Sequence, residues 1–171
     1  MIDLLIDLET LDTNPTAVVT EMAWARFNPS KTKESIEGEV FTGFPCPWNQ
    51  IAAGRTIDPS TITWHLNGGT LKRDGADHLP NLLHSLREDA NDVRYVWTWG
   101  SDFDAPILKS LFQQAGMELP WKYYQVKDAR TAWDLAFPGE RPEKRSHHAE
   151  DDVKASIRDL VTSIYELTNE D

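Results

Sequence analysis

The sequence predicts a single α/β domain in which a mixed five-stranded sheet carries helices on both faces. Three strand patterns follow one another at the N-terminus, and helix and strand patterns then alternate before a long final helix. This order of elements is typical of a mixed sheet covered by helices. The length of 171 residues suits one domain, and no internal repeat or long linker divides the chain. We therefore treat residues 1–171 as one unit.

The first three strands form a predicted meander. The apolar run at residues 2–9 gives the first strand, the alternating pattern at 17–27 the second, and residues 36–44 the third. In the second strand, one face is largely apolar and the other is mixed. The connection "NPSKTKES" at residues 28–35 has the composition of a polar turn.

The middle of the chain contains two predicted helices. Residues 44–75 are rich in Pro and Gly and include one short helix in "DPSTITWHL", with Asp58 or Ser60 as its cap. Leucines at helical spacing predict an amphipathic helix over residues 78–89.

Strand and helix patterns alternate in the C-terminal half. Residues 93–100 form a predicted strand, and the helix after it is capped by Ser101 and ends at Gly116. A short strand in "KYYQVKD" leads into a helix near Asp128. The final helix covers about residues 148–168, and the apolar positions that we expect it to bury are Val153, Ile157, Leu160, Val161, Ile164 and Leu167.

The composition excludes some classes of function. A net charge of −11 argues against a protein that coats nucleic acid through a broad basic face, although divalent ions can supply positive charge locally. No apolar run reaches the roughly 18 residues of a membrane span, and no export signal opens the chain. The single cysteine, Cys46, fits a reducing compartment. We therefore expect a cytoplasmic protein without a membrane partner.

The first strand ends with two carboxylates on one side. Asp7 and Glu9 lie two residues apart, so their side chains point the same way, with Cα atoms roughly 7 Å apart. Two like charges in a half-buried strand are unfavourable unless a cation lies between them. This pair therefore predicts a bound cation.

Further candidate groups lie at predicted helix starts. Asp104 falls in the first turn after a strand, and Asp152 begins the last helix, five residues after His147. Ligand groups gather at such places in α/β folds. Carboxylates without cysteine suit Mg²⁺ or Mn²⁺, and two such ions can clamp a phosphoryl displacement. A nearby histidine, with an ordinary pKa of about 6.5, could take the proton of an attacking water.

Each of these residues also has a purely structural interpretation. Asp104 could close a capping box with Ser101, and Asp152 could be a favourable anion in a helix first turn, as we take Glu150 and Asp151 to be. His147 and His148 could be solvated loop residues. For Asp7 and Glu9 the structural interpretation is the weakest, since a strand interior gives no reason for them.

The segments "IDLET", "GSDFDAPIL" and "HHAEDDVKA", in this order, resemble the three motifs of the DEDDh (DnaQ-like) 3′→5′ exonucleases of the ribonuclease H-like superfamily. The resemblance covers nearly the whole chain. It is greatest to the phage T4 exonuclease A group, in which segments similar to "STITWHLNGG" and "KDARTAWDL" lie between the motifs.

The resemblance implies a set of roles. The metal-binding carboxylates would be Asp7, Glu9, Asp104 and Asp152. His147 would be the general base, because the family's histidine stands five positions before its last aspartate. One ion would activate water and the second would stabilise the departing 3′ oxygen, which releases nucleoside 5′-monophosphates. One departure is Gly100, where many members carry a polar residue, often asparagine, four positions before the second-motif aspartate.

The expected substrate contacts are less specific. The backbone around Thr10 and Leu11 would read the terminal 3′-hydroxyl, as the resemblance implies, and Trp64 with His65 would offer a base-stacking platform. Arg145 belongs to a basic loop with Arg141 and Lys144 that could close on substrate. Asp128 and Arg130 would brace the site. We expect Trp97 and Trp99 to be core residues.

The sequence leaves the polymer open. The first hypothesis is an exonuclease acting on the 3′ end of single-stranded DNA, and the alternative is an exoribonuclease of the same family, since the 2′-hydroxyl distinguishes the substrates. A catalytically silent binding module is a third reading, and a homodimer is compatible with the sequence. The resemblance favours phage-encoded DNA salvage over host RNA turnover.

Overall fold

The fold is built around one mixed sheet. The computed structural model describes residues 1–31, 35–70 and 75–169. Within these ranges five strands pair in the spatial order β3-β2-β1-β4-β5. β2 is antiparallel to β1 and β3, whereas β4 is parallel to β1 and β5. The strands are β1 (Asp3–Thr10), β2 (Val19–Phe27), β3 (Ile36–Gly43), β4 (Val96–Thr98) and β5 (Val126–Asp128). The predicted mixed five-stranded sheet is confirmed.

Helices cover both faces of the sheet. Those in the described residues are α1 (Pro47–Ala52), α2 (Pro59–Gly68), α3 (Leu79–Asp89), α4 (Asp104–Gln114), α5 (Ala129–Ala136) and α6 (Ala149–Asn169). Even-numbered β1 residues such as Leu4 and Ile6 pack in one buried cluster with α3 and α4. Leu5, with the opposite orientation, packs with α5 and α6. Since side chains alternate along a strand, Asp7 and Glu9 share the side of Leu5.

Several predicted boundaries differ from the structure. α1 was not predicted; its Gln50 is buried, accepts from the Val19 amide at 2.9 Å and donates to the Val19 carbonyl at 2.7 Å. β4 has three residues rather than eight. Leu167 is 41% exposed instead of packed, because it lies in the last turns of α6 beyond the sheet. Residues 32–34 and 71–74 of the predicted turn and irregular segment lie outside the described residues.

The prediction that Ser101 caps α4 is wrong. The helix begins at Asp104, and the residue before it, Phe103, makes no side-chain cap. A turn precedes the helix, in which the Phe103 amide donates to the Gly100 carbonyl at 3.1 Å and Gly100 has a φ of 100°. This left-handed conformation favours glycine. This turn follows β4, and α4 therefore begins with Asp104 at the carboxyl ends of β1 and β4. At α2, by contrast, Asp58 is the cap and accepts from the Thr61 amide at 2.9 Å.

None of the helices in the described ranges combines the length and the hydropathy that a bilayer crossing requires.

The packing of α4 generates a stability prediction. Leu108 is 0% exposed, whereas Leu135 on α5 is 65% exposed. Leu108→Ala should lower the free energy of unfolding by about 2–5 kcal/mol, because it removes buried contacts and leaves a cavity. The matched control Leu135→Ala should change it by less than about 0.5 kcal/mol. Urea unfolding of the three proteins measures both values, and equal losses would contradict the assigned core.

Candidate active site

A pocket opens at the carboxyl ends of β1 and β4. Its volume is about 660 Å³, within the range of roughly 300–1,000 Å³ of ligand sites and large enough for a nucleotide. Four elements contribute to it: the end of β1, one side of α2, the β4–α4 turn and the segment leading into α6. Its lining residues are Asp7, Leu8, Glu9, Thr10, Thr13, Ser60, Thr61, Trp64, His65, Trp99, Phe103, Asp104, Arg130, Arg145, His147 and Asp152.

The two β1 carboxylates lie in a poorly hydrated, negatively charged environment. Burial, followed by the charge of Asp152, raises the pKa of Asp7 to about 7. Burial and the charge of Asp7 raise the pKa of Glu9 to about 9. Glu21 of β2 stands opposite Glu9 in the strand register, is also buried, and adds to both shifts. The environment at the end of β1 therefore disfavours the charged forms of both carboxylates.

Asp104 joins this group from the opposite face of the sheet. It is the first residue of α4 and is 3% exposed. Burial, and then the charge of Asp7, raises its pKa well above the ordinary value, while a hydrogen bond from the Leu8 backbone opposes the rise. Its Oδ1 is buried and has no hydrogen-bond partner among the described residues. A buried, unsatisfied carboxylate oxygen facing other carboxylates fits a cation site.

Asp152 and His147 form the α6 side of the site. The Asp152 carboxylate accepts from the Ser146 amide at 2.8 Å and from the His147 amide at 3.0 Å. These bonds hold His147 in a left-handed conformation, with a φ of 59°. Ligand atoms of Glu9, His147 and Asp152 all lie within 4.8 Å of one another. These three residues can bind a metal ion together, or the two carboxylates can bind it with His147 as a base beside it.

The His147 ring is set for proton acceptance. Burial lowers its pKa, and the charge of Asp152 partly opposes the shift. A neutral imidazole at neutral pH can accept a proton. The Trp64 ring meets His147 edge-on, with centroids 4.6 Å apart, and is itself 49% exposed. Trp64 therefore supports the imidazole and still offers a face to the pocket.

His65 is buried and already fully engaged. Its Nε2 lies 2.8 Å from the Thr10 carbonyl and its Nδ1 lies 2.8 Å from the Thr70 hydroxyl. Both ring nitrogens thus bind protein atoms, and the residue ties α2 to the end of β1. His65 also lines the pocket, so its contact with substrate stays a prediction, while its ring nitrogens act as an internal brace.

Leu11 is removed from the pocket. Its amide donates to the Val18 carbonyl at 2.9 Å, and its carbonyl accepts from the Asp58 amide at 2.7 Å. Both backbone groups of Leu11 thus bind protein atoms, and a contact of this residue with a 3′-hydroxyl stays a prediction. Thr10, by contrast, lines the pocket, although its hydroxyl donates to the Asp12 carbonyl at 2.7 Å.

Arg145 is held in place by the protein. Its guanidinium pairs with Asp159 at 2.8 Å and stacks on the Trp99 ring, 4.0 Å from the centroid. The same cation lowers the pKa of Asp7.

Arg141 and Lys144 are exposed outside the pocket lining, so the structure gathers only Arg145 of the predicted basic loop at the site. Trp97 and Trp99 are half-buried and pack against the core cluster on the α5–α6 side, in line with the prediction. Trp99 also lines the pocket, where Arg145 stacks on it.

Other pocket residues were not identified from the sequence. Glu21 belongs to the alternating pattern at residues 17–27, and its position opposite Glu9 depends on strand register. Phe103 lies within "GSDFDAPIL", and Ser60 and Thr61 begin "STITWHLNGG", but neither resemblance assigned them to the pocket. Thr13 lies outside the quoted segments.

The family model described as "3'-5' exoribonuclease Rv2179c-like domain" matches residues 2–162. A search of curated proteins found no match.

Similar solved structures include Escherichia coli ExoI in a zinc-bound complex with ssDNA, with 15% identity and a TM-score of 0.69 over 98% of this chain and 41% of that one. Exonuclease I from Methylocaldum szegediense has 17% identity and a TM-score of 0.61 over 94% of this chain and 40% of that one. The nuclease domain of 3'hExo, a DEDDh family member bound to rAMP, has 18% identity and a TM-score of 0.62 over 96% and 92%.

This chain spans less than half the length of the two exonuclease I chains. At such identities the similarity establishes a shared ribonuclease H-like exonuclease fold, as the sequence predicted. The family match covers most of the chain and agrees with the DEDDh motifs. The protein therefore belongs to the Rv2179c-like family of 3′-5′ exoribonuclease domains, a family of hydrolytic 3′-5′ exonucleases.

Proposed function

We propose that this domain removes nucleoside 5′-monophosphates from the 3′ ends of single-stranded nucleic acid, with divalent ions bound by Asp7, Glu9, Asp104 and Asp152. One observation carries the proposal: four carboxylates converge in one pocket, although the three elements that supply them, β1, α4 and α6, are far apart in sequence. A structural role explains none of these convergences, because buried like charges destabilise a fold.

The electrostatics support bound Mg²⁺ or Mn²⁺. Carboxylate oxygens without thiolates suit these hard cations, and the raised pKa values of Asp7 and Glu9 indicate an environment that a cation would favour. Two such ions, when bound, would supply an activated water and stabilise the charge that develops on the phosphate and the leaving oxygen. The four carboxylates would hold and orient them.

His147 would act as the general base. Its lowered pKa keeps the imidazole neutral, and its contact with Trp64 limits its orientation. The hydrogen bond from its amide to Asp152 holds it beside the carboxylates. After it accepts the proton of the attacking water, the imidazolium would be stabilised by the same carboxylate cluster.

The family description favours RNA as the polymer. The matched model is that of a 3'-5' exoribonuclease domain, and the 3'hExo neighbour was solved with rAMP. A second candidate, single-stranded DNA, was the first hypothesis from the sequence and is supported by the ssDNA complex of E. coli ExoI. We take RNA as the principal substrate and DNA as the alternative.

Membership of the phage T4 exonuclease A group rests on the resemblance of "STITWHLNGG" and "KDARTAWDL" to segments of that group. The RNA preference proposed here favours RNA turnover over DNA salvage. A cytoplasmic location is supported by the single cysteine, which is free, and a homodimer would be detected by light scattering.

Without divalent ions, the stability of the domain should depend on pH. The pKa values of Asp7 and Glu9 in the fold, about 7 and 9, exceed the ordinary values of 3.8 and 4.5. The native state therefore binds more protons than the unfolded state, so stability falls as pH rises between these limits. Glu9→Gln should raise the Tm at pH 8 in EDTA and flatten its dependence on pH.

Thermal melts from pH 5 to 9, with and without Mn²⁺, provide the measurement. Mn²⁺ should raise the wild-type Tm most at high pH. The control Glu118→Gln, at an exposed glutamate, should follow the wild type. An unchanged slope in Glu9→Gln would contradict a desolvated carboxylate at this position.

Removal of one first-strand carboxylate should separate activity from folding. Asp7→Ala should abolish Mg²⁺-supported release of mononucleotides without lowering the Tm, because the substitution removes a charge that the fold gains nothing from. Calorimetric titration with Mn²⁺ should show weaker ion uptake than the wild type. Near-normal turnover in Asp7→Ala would reject the assignment, and a wild type that takes up no ion would favour the silent binding module.

The polymer preference can be measured directly. Labelled single-stranded RNA and DNA of equal sequence, digested side by side with Mn²⁺, should both shorten from the 3′ end, with RNA degraded faster. A 3′-phosphate on either substrate should block the reaction. Faster digestion of DNA would select the second candidate, and cleavage inside the chain would contradict exonuclease action.

A further inference from the structure

Arg130 extends into the pocket beside an unusual glycine. It is the second residue of α5, its side chain is exposed, and it lines the pocket together with Trp99 and Phe103. A Cβ built on Gly100 would lie 3.4 Å from the Arg130 Nη2 and 3.6 Å from its Cζ. The guanidinium therefore lies over Gly100 at ordinary contact distance. The φ of 100° favours glycine at this position, and the side chain that covers it comes from another element, α5.

Arg130 has a carboxylate in its vicinity, since Asp102 Oδ1 would lie 3.8 Å from the same Cβ on Gly100, but the two side chains form no ion pair. None of the ion pairs found in the described ranges includes Arg130, whereas Arg145, the other pocket arginine, is paired with Asp159. A guanidinium carries five donors in a planar fork that suits phosphate oxygens. In a pocket dominated by carboxylates, Arg130 is thus a cation with free donors.

The backbone of Arg130 is fixed relative to the site. Asp128 accepts from the Arg130 amide at 2.9 Å through Oδ1, and its Oδ2 accepts from the Ser101 amide at 3.4 Å. The same carboxylate therefore joins the start of α5 to the Gly100 turn that precedes Asp104. This bridge sets the position from which the arginine stem reaches the pocket.

The pocket has two walls around the end of β1. One is α2, where Trp64 presents an exposed ring next to His147. The other is the end of β4 with Arg130 over Gly100. The carboxylates line the same pocket. A terminal nucleoside that stacks on Trp64, with its phosphate at the carboxylates, would direct the rest of the strand toward the second wall.

We propose that Arg130 binds the phosphodiester immediately 5′ of the scissile phosphate. The inference rests on the proposed function and adds a specificity residue to it: the arginine makes the enzyme select a strand over a mononucleotide ester. It replaces, from α5, the polar side chain that position 100 lacks. The contact is with the phosphate, so it serves RNA and DNA alike.

A charge-removal cycle tests the contact. Arg130→Ala, Arg130→Lys and the wild type are assayed on a short oligonucleotide with a normal linkage, or a neutral methylphosphonate, at the position 5′ of the scissile phosphate. In the wild type, the neutral linkage should lower kcat/KM roughly tenfold to hundredfold, as loss of a charged hydrogen bond does, mainly through KM. In Arg130→Ala the normal linkage should show that loss, and the neutral linkage should cause little further loss.

Two controls separate this inference from the proposed function. A nitrophenyl ester of a nucleoside 5′-monophosphate has no second phosphodiester, so its hydrolysis should be equal in the wild type and Arg130→Ala. Arg87→Ala, at an exposed arginine on α3 outside the pocket lining, should match the wild type on every substrate. Arg130→Lys should recover part of the loss, because the charge remains without the fork.

The outcomes are distinct. If the wild type degrades neither substrate, the proposed function fails. If the wild type is active and Arg130→Ala keeps full kcat/KM on the oligonucleotide, the inference alone fails. Equal losses on the ester and on the oligonucleotide would also overturn it, because they would assign the arginine to the scissile phosphate.

Discussion

The central feature of the structure is a group of carboxylates at the end of β1 that repel one another. Asp7 and Glu9 protrude from β1 on the side of α6, and α4 brings Asp104 to the same point from the other face of the sheet. Burial and mutual charge raise the pKa values of all three. A fold tolerates such a cluster when a bound cation compensates it. The rest of the domain can be understood as a scaffold that holds these groups together.

The sequence was informative where a local rule fixed the geometry. Strand alternation alone put Asp7 and Glu9 on one side, and the ends of secondary elements indicated Asp104 and Asp152. It was uninformative where pairing across the sheet decided the outcome. Glu21 stands beside Glu9 only because of the β1–β2 register, which no short pattern encodes.

Side-chain partners were equally hidden from the sequence. A histidine next to a tryptophan suggested a base-stacking platform, yet both ring nitrogens of His65 form hydrogen bonds within the protein, to Thr10 and Thr70. Ser101 matched a capping pattern, but the left-handed turn at Gly100 moves the helix start to Asp104. Trp99 packs against the core as expected, but its second role, a stacking contact with Arg145 in the pocket, was not predicted. Each difference arises from a contact between distant parts of the chain.

One carboxylate in the pocket has two duties. Asp152 faces Glu9 with ligand atoms close together, and its oxygens also anchor the amides of Ser146 and His147. The orientation of the His147 imidazole therefore depends on the carboxylate of Asp152, five residues further along the chain. Replacement of Asp152 would therefore remove a metal ligand and, at the same time, the hydrogen bond that holds the His147 backbone in its left-handed conformation. Asp7, which has no such anchoring bond in the described chain, gives the simpler dissection of ion binding.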